Sequence, residues 1–366
     1  MIKYLGSKRT LIPRILEVIQ AVDQAKTLTE DGRPRGVRSV IDLFSGTSRV
    51  GHALKRAGYR VLANDHNAYA AVLARCYVQA DREDLWDDAR ALLERYNQLP
   101  PKPGYVTETF CRRARFFQEH NGARVDAIRE AIADDALSPE LEAVVLTSLM
   151  EAADRVDSTT GLQMAYLKSW APRAYNDLEL RMPEVLPRAP AGKGAAHQLD
   201  AAEAARTLRG DIAYIDPPYN QHKYLGNYHI WETLVRWDKP ETYGVACKRV
   251  DCRARASPFN SRRRIAAAMG AVLDGLAGRV QTLIVSFSNE GFLSRDELEA
   301  TLARHGEVTV LEHDYKRYVG AQIGIFNPKG KRVGKVSHLR NKELMYVVGP
   351  AAVRHAVSAL IERGAA

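Results

Sequence analysis

Long apolar runs, paired cysteines and a signal peptide are absent from this chain of 366 residues. No uninterrupted apolar stretch reaches the roughly 20 residues that span a bilayer, and the N-terminal residues lack the hydrophobic region of a signal peptide. The four cysteines, Cys76, Cys111, Cys247 and Cys252, form no Cys-x-x-Cys pair that would indicate a zinc or redox site. These absences argue against a membrane protein and predict a cytoplasmic globular protein with reduced thiols and no metal site.

Positive charge exceeds negative charge, with 53 Lys and Arg against 44 Asp and Glu and a formal net charge of +9. The excess is concentrated in residues 244–264 and in residues 315–342, and the second segment contains no acidic residue. Such segments suit a polyanion, because each neutralised phosphate releases condensed counterions. An ordinary solvated surface is the alternative for each segment.

The first third of the chain predicts an α/β beginning followed by helices. Strands are expected over Val37 to Phe44 and Tyr59 to Ala63, separated by the turn Ser45 to Ser48 and a helix over Val50 to Ala57. From Ala68 to about Leu149 the apolar residues recur at spacings of three and four, which predicts helices. The proline-rich and glycine-containing residues 172–197 predict a loop that returns to the core.

Strand-like segments follow at Ile212 to Ile215, Gln281 to Phe287, Glu307 to Leu311 and Leu344 to Val348. A helix over Asp296 to Arg304 begins with Ser294 and Glu297 at the spacing of a capping box. The alternation of strands and helices predicts an open α/β sheet. We expect a core formed by residues 1–67 and 198–350, a mostly helical insertion over residues 68–197, and a basic loop over residues 237–268.

The most specific motif is Asp216-Pro217-Pro218-Tyr219, which follows the apolar strand Ile212 to Ile215. An exocyclic amine on an aromatic ring is a poor nucleophile, because its lone pair is delocalised. The Asp216 carboxylate and the Pro217 carbonyl would accept the two amino hydrogens and localise that pair, and Asp216 would take up the proton late. The prolines hold the backbone direction, and Tyr219 offers a stacking face worth roughly 1 to 3 kcal/mol. The motif indicates methylation of a nucleobase, and a structural turn is the alternative.

Two further strand ends favour a nucleoside-containing cofactor. Asp42 and Gly46 follow the first strand, where open α/β sheets bind ligands and where glycine allows close backbone approach. Asp65 ends the next strand, from which a carboxylate can accept hydrogen bonds from both ribose hydroxyls. A structural turn at Gly46, and a helix cap at Asp65 worth about 1 kcal/mol, are the alternatives.

These motifs, in their order, resemble the Dam-like class of adenine-specific DNA methyltransferases that depend on S-adenosylmethionine. The resemblance rests on Lys3 to Lys8, Asp42 to Gly51, Asn64-Asp65 and Asp216 to Tyr219, and it extends to Ala153 to Val156, Thr160 to Lys168, Asn227 to His229 and Ser286 to Asn289. It implies a Rossmann-like methyltransferase core with a mixed, mostly parallel sheet and a helical insertion that is a candidate DNA-recognition region. The turn after the first strand departs from the family, because Thr47 and Ser48 stand where many members have a second glycine.

The resemblance also implies roles for individual residues. The cofactor S-adenosylmethionine would lie against Tyr4 and Lys8 at its methionine portion, Asp65 at its ribose and Asp200 at its adenine, and the full set is Tyr4, Lys8, Asp42, Gly46, Asp65, Asp200 and Asp216. The catalytic box would be Asp216, Pro217, Pro218 and Tyr219. The target is expected to be an adenine rotated out of double-stranded DNA. RNA adenine, DNA cytosine and an inactive DNA-binding relative are the alternatives, and a cognate restriction endonuclease would be a compatible partner.

Candidate DNA contacts are Tyr224, Lys248, Arg249, Lys316, Arg317, Arg332 and Lys335. Tyr224 belongs to a polar and aromatic cluster with Asn227, Tyr228 and His229, which suits either base stacking or internal packing. The last four cations would lie on a hairpin around Asn327 to Gly330 that either contacts phosphates or is simply solvated. The basic loop would clamp DNA or be disordered. Asp154 and Arg155 would guide DNA or form an internal ion pair.

Overall fold

The computed structural model of the protein describes residues 1–25, 36–316 and 340–364. Within these ranges, no helix combines the length and the apolar composition needed to cross a membrane. The chain divides into two compact units. Unit 1 comprises Met1–Ile12, Arg38–Ala204 and His222–Ser257, and unit 2 comprises Pro13–Val37, Ala205–Gln221 and Pro258–Ala366.

In the part of the chain that the structure describes, nine strands form one large sheet and one small one. The strands are β1 (Ser39–Asp42), β2 (Arg60–Asn64), β3 (Ala195–His197), β4 (Ile212–Ile215), β5 (Thr242–Tyr243), β6 (Lys248–Arg249), β7 (Thr282–Ser288), β8 (Val308–Lys316) and β9 (Arg340–Val348). The seven-stranded sheet has the order β3-β2-β1-β4-β7-β9-β8, and β5 pairs with β6 alone. The pairs β1–β2, β2–β3 and β4–β7 are parallel, whereas β9 is antiparallel to β7 and β8. This confirms the predicted Rossmann-like methyltransferase architecture with a mixed, mostly parallel sheet.

The α-helices are α1 (Ile12–Gln24), α2 (Arg49–Arg56), α3 (Ala68–Ala74), α4 (Arg82–Asn97), α5 (Glu119–Asp134), α6 (Pro139–Arg155), α7 (Ala201–Thr207), α8 (Tyr224–Asn227), α9 (His229–Arg236), α10 (Ile265–Leu276), α11 (Arg295–Leu302) and α12 (Ala351–Gly364). Ser294 and Glu297 form the predicted capping box at the start of α11, with both reciprocal hydrogen bonds present. The helices expected between Ala68 and Leu149 are α3 to α6.

The core of unit 1 packs α3 to α6 and α9 around large aromatic side chains. Tyr69, Tyr96, Phe110, Phe116 and Trp231 are each at most 1% exposed. Fully burying one large apolar side chain contributes about 1.5 to 3 kcal/mol. The helical segment 68–197 therefore has a substantial core, and that core lies within the unit that contains β1 and β2.

Two predicted segments differ from the structure. The expected loop over residues 172–197 ends in β3, which pairs with β2 through Ala195 and His197. Three residues without β-branched side chains give no strand pattern, so this edge strand escaped prediction. The basic loop over residues 237–268 contains the β5–β6 hairpin and two short 3-10 helices, Val250–Arg253 and Pro258–Asn260. The proposed division between core and insertion stays a prediction.

Candidate active site

A buried carboxylate, that of Asp42, supports the turn after β1. Asp42 is 1% exposed, and its Oδ2 accepts a hydrogen bond from the backbone N–H of Gly51 in the first turn of α2, at 3.1 Å. A Cβ at Gly51 would lie 3.1 Å from this oxygen, so glycine lets the helix approach the strand end closely. In the turn itself, Gly46 has φ +52° and Ser48 has φ +59°. Asp42 thus braces the start of α2 behind the turn.

Asp65 connects the end of β2 to the same turn. Its Oδ2 accepts from the Gly46 N–H at 3.0 Å, and its Oδ1 accepts from the Asn67 N–H at 2.9 Å and the Asn67 side-chain amide at 3.3 Å. Burial raises the pKa of Asp65, and the hydrogen bonds from Asn67 and Gly46 oppose that rise. One oxygen therefore caps the entry to α3, as one alternative predicted, and the residue as a whole is partly exposed.

Tyr4 covers Gly46. A Cβ at position 46 would lie 3.3 Å from the Tyr4 ring, so a larger residue would push the ring away. The ring stacks on Tyr228, with centroids 4.5 Å apart, and on Tyr224, with centroids 5.2 Å apart. The Tyr4 hydroxyl lies 3.2 Å from the hydroxyl of Tyr69. Burial raises the pKa of Tyr4 well above its ordinary value. Tyr4, Tyr69, Tyr224 and Tyr228 together form a tyrosine cluster.

Tyr69 was not among the sequence-predicted residues. It is the second residue of α3 and lies one helical turn after Asp65, and that spacing is the only sequence signal that it carries. Tyr228 was predicted to serve either base stacking or internal packing. Its hydroxyl accepts a hydrogen bond from the Leu5 N–H at 2.6 Å, so it holds the N-terminal segment in place.

Lys3 anchors that segment on its other side. The Lys3 N–H donates to Asp154 Oδ2 at 3.0 Å, and its ammonium donates to Asp157 Oδ1 at 2.8 Å. Burial raises the pKa of Asp154 to about 6, and the nearby Lys3 opposes the rise. Arg155 instead donates to the carbonyl of Glu179 at 2.6 Å. The internal Asp154–Arg155 ion pair was one of two alternatives, and the structure instead pairs the Asp154 carboxylate with Lys3.

Lys8 and Asp200 occupy different environments. Lys8 is 8% exposed and begins a 3-10 helix, Lys8–Thr10. Asp200 is exposed, and its carboxylate accepts from the Ala202 N–H at 2.9 Å at the start of α7. The neighbouring Leu199 is tied to Asn64, which in turn donates to the Leu43 carbonyl at 3.2 Å. Asn64 thereby links the segment before α7 to the end of β1.

The predicted catalytic box, Asp216 to Tyr219, lies in unit 2, at the carboxyl end of β4. All four residues of β4 are buried, Pro217 is buried, and Asp216 and Tyr219 are partly exposed. The Tyr219 carbonyl accepts from the Phe292 N–H at 2.8 Å, and its ring lies 5.5 Å from that of Phe287. With two fixed proline φ angles as well, the backbone of the box is held rigidly.

The DNA-contact candidates separate into several groups. Tyr224 belongs to the tyrosine cluster, and the Lys248 ammonium lies 2.9 Å from the Met164 sulfur. Burial lowers the pKa of Lys248. Lys316 is the last residue of β8. Arg317, Arg332, Lys335 and the segment Asn327 to Gly330 lie outside the described residues.

Arg249 requires a correction. Its side chain is 1% exposed, and its guanidinium donates to both carboxylate oxygens of Asp238 at 2.7 Å and to Asp251 at 3.0 and 3.1 Å. A guanidinium that is buried and bound to two carboxylates cannot also reach a phosphate. The prediction that Arg249 contacts DNA is therefore wrong, and its role is to hold the β5–β6 hairpin.

Comparison with known families gives the class of this protein. Residues 4–262 match MethyltransfD12, the D12 class of N6 adenine-specific DNA methyltransferases. The match covers well over half of the chain, so the chain belongs to this family and is an adenine-specific DNA methyltransferase. The family resemblance predicted from the motifs is confirmed.

Among curated relatives, the chain is 28% identical over 309 residues to the type II methyltransferase M.NlaIII of Neisseria lactamica, covering 82% of this chain and 90% of the relative. It is 29% identical over 336 residues to M.FokI of Planomicrobium okeanokoites, covering 86% of this chain and 49% of the relative. It therefore spans about half the length of the second relative. Among solved structures, the delta-N METTL16 MTase domain aligns at 9% identity and TM-score 0.28, covering 91% of this chain and 80% of that one.

Proposed function

We propose that this protein transfers a methyl group from S-adenosylmethionine to the exocyclic amino group of an adenine that is rotated out of duplex DNA. The observation that carries the proposal is the position of Asp216. It follows a fully buried strand and precedes two prolines in a rigid backbone, in a chain of the adenine-specific family. Such a carboxylate is presented at the carboxyl end of a parallel strand, where α/β enzymes carry out their chemistry.

Asp216 and Pro217 would act on the amino group of the base. The carboxylate and the Pro217 carbonyl each accept one amino hydrogen, which localises the nitrogen lone pair. As the new N–C bond forms, positive charge develops on the nitrogen, and a fixed negative charge stabilises it more in the transition state than in the ground state. The proton then passes to Asp216 or to water. The partly exposed ring of Tyr219, packed against Phe287, is suited to stacking on the base.

The turn residues of unit 1 fit a nucleoside cofactor. S-adenosylmethionine supplies the methyl group on a positively charged sulfur when it is bound. Gly46 lets the Tyr4 ring lie close against the turn, and Asp65 is a partly exposed residue whose carboxylate could also accept from the ribose hydroxyls. Among the described residues, the buried hydroxyls of Ser45 and Ser48 have no hydrogen-bond partner. We propose that Tyr4 and Lys8 lie near the methionine portion, that Asp200 lies near the adenine, and that Asp42 acts by bracing the turn.

The partners that we propose are double-stranded DNA and a restriction endonuclease with the same recognition site. The basic composition and the half-buried Lys248 support double-stranded DNA as a partner. The second rests on the relatives, which are named as type II methyltransferases. All four cysteines are free and buried, which suits the reducing cytoplasm that we propose as the location.

Incubation with isotopically labelled S-adenosylmethionine and separate pools of duplex DNA and RNA tests the proposed function. The nucleosides released by digestion are then separated. Label in N6-methyladenine from duplex DNA is the expected result, and the Asp216→Ala variant is the negative control. Label only in RNA, or in N4-methylcytosine, would contradict the proposal. Sequencing methylated adenines in DNA from a methylation-free expression host would give the recognition site.

A further inference from the structure

Glu232 is a buried carboxylate whose two oxygens serve different parts of unit 1. It lies in α9 and is 0% exposed. Its Oε2 accepts from the backbone N–H of Tyr69 at 3.1 Å, and its Oε1 accepts from the Arg255 guanidinium at 2.8 Å. A fully buried carboxylate is costly unless it is paired, so both contacts matter to it.

The first contact holds the start of α3. The first N–H groups of a helix have no partner within the helix, and the N-cap residue Asn67 makes no side-chain cap here. Two carboxylates take this role instead. Asp65 accepts from the Asn67 N–H at 2.9 Å, and Glu232 accepts from the Tyr69 N–H two residues later. Asp65 and Glu232 therefore accept from two donors of one helix start, two residues apart, so Glu232 helps to fix the helix that follows the Asp65 turn.

Tyr69 extends this effect to the turn after β1. Its hydroxyl lies 3.2 Å from the hydroxyl of Tyr4, and Tyr4 covers Gly46. Gly46 in turn donates to Asp65. The hydrogen bond from the Tyr69 N–H to Glu232 thus holds Tyr69 in place. Tyr69 in turn supports the turn that follows β1, because its hydroxyl contacts Tyr4 and Tyr4 covers Gly46.

The second contact fixes the orientation of Glu232. Arg255 is 21% exposed and also lies 3.4 Å from Asp251. Asp251 is bound by the buried Arg249, which anchors the β5–β6 hairpin. The carboxylate of Glu232 is therefore held at one oxygen by an ordered arginine, which leaves the other oxygen directed at Tyr69.

We propose that Glu232 is a positioning residue for cofactor binding, which orients the Asp65 turn and Tyr69 by capping α3, with Arg255 holding it in place. The proposal rests on the proposed function of Asp65 as the ribose-binding residue. It adds a residue from α9, after the catalytic box, to the determinants of cofactor affinity. It also assigns an internal role to Arg255, one of the arginines of the basic segment 244–264.

Variants of Glu232 separate positioning from stability. Glu232→Ala removes the acceptor for Tyr69, so the dissociation constant for S-adenosylmethionine, measured by calorimetry without DNA, should rise about tenfold, as is typical when a supporting hydrogen bond is lost. Glu232→Gln keeps an acceptor oxygen and loses only the ion pair. It should lower the melting temperature while leaving the dissociation constant within about threefold of the wild type. Between these two variants, cofactor affinity should depend on the oxygen that accepts from Tyr69, and the melting temperature should depend on the negative charge of Glu232.

The arginines provide a matched pair. Arg255→Met leaves the Glu232 charge buried and unpaired, a defect that the neutral Glu232→Gln side chain does not have, so it should weaken cofactor binding, and Arg255→Lys should restore most of the affinity. Arg253→Met removes the same charge from the same segment, but Arg253 stacks over Tyr243 at 4.0 Å and does not contact Glu232. Its cofactor affinity should be unchanged. Equal effects of Arg253→Met and Arg255→Met on cofactor binding would overturn the proposal, as would wild-type affinity in Glu232→Ala.

The Asp65→Ala variant, measured alongside, distinguishes failure of the positioning role of Glu232 from failure of the proposed ribose site at Asp65. If Asp65→Ala weakens cofactor binding and Glu232→Ala does not, the positioning role of Glu232 is wrong and the proposed cofactor site stands. If neither variant changes the dissociation constant, the placement of the ribose at Asp65 is wrong, and the inference fails with it.

Discussion

An aspartate stands at the end of β1 and another directly after β2, and the surroundings of the two carboxylates differ. Asp42 is 1% exposed and accepts from the Gly51 N–H inside α2. Asp65 is partly exposed and accepts from the N–H groups of Gly46 and Asn67 and from the Asn67 side chain. The two strands are parallel and paired, with Asp42 opposite Ala63 in the register, so Asp65 lies two residues beyond the partner of Asp42.

This difference separates a structural aspartate from one suited to binding. An ionised carboxylate has about four lone-pair sites, so three donors leave Asp65 with capacity for a ribose hydroxyl. Asp42 has no comparable access to a ligand, because it is buried behind the turn. Equivalent strand ends therefore need not have equivalent functions, and the surroundings of each carboxylate decide between support and binding.

Asp216, at the end of β4, extends the comparison to catalysis and should give the largest effect. Asp216→Ala should lower the rate of methyl transfer at least about a hundredfold, because a group that stabilises the transition-state charge is lost. The dissociation constant for S-adenosylmethionine should change little. Single-turnover rates and calorimetric binding measure the two quantities. Loss of cofactor affinity equal to the loss of rate would show that Asp216 belongs with Asp65 as a binding residue.

Asp65→Ala should chiefly weaken the cofactor. Removal of charge-assisted hydrogen bonds to the ribose should raise the dissociation constant for S-adenosylmethionine about tenfold to a hundredfold. The rate at saturating cofactor should fall much less. Calorimetric titration of wild type and variant checks this. An unaltered dissociation constant would remove Asp65 from the ribose and leave it as a helix cap like any other.

Asp42→Ala should chiefly lower stability. The variant leaves the buried Gly51 N–H without its acceptor, which should reduce the free energy of unfolding by about 1 to 3 kcal/mol. Denaturant unfolding measures this, and cofactor affinity well below the transition should change less than in Asp65→Ala. A large loss of affinity at wild-type stability would erase the distinction between the two strand ends and return Asp42 to the cofactor pocket.

Sequence reasoning worked best where local pattern and tertiary environment agree. The strand Ile212–Ile215 was predicted with its correct bounds, since a short apolar run ends at Pro217, whose missing N–H and fixed φ disfavour a longer central strand. The capping box at Ser294 was likewise predicted because its two bonds are local. The order of the motifs was sufficient to identify the family.

The missed features depend on contacts between residues distant in sequence. Glu312 and Lys342 form a cross-strand ion pair between the antiparallel strands β8 and β9, and both strands extend into polar residues that gave no strand pattern. The importance of Tyr69 depends on Tyr4 and Glu232, which lie 65 and 163 positions away. No spacing rule connects such residues.

Lys248 and Arg249 are a second pair of like residues in which one is structural and the other is suited to binding. They are adjacent in β6, so their side chains leave opposite faces, and only Arg249 is buried among carboxylates. Lys248→Gln should weaken DNA binding a few-fold on all sequences and reduce the slope of log affinity against log salt by about 1, as expected for one lost phosphate contact. Fluorescence anisotropy over a salt series measures the slope. Lys239→Gln is the matched control, because Lys239 is paired with Glu130 at 2.6 Å. An unchanged slope in Lys248→Gln would show that Lys248, like Arg249, serves the hairpin and not the DNA.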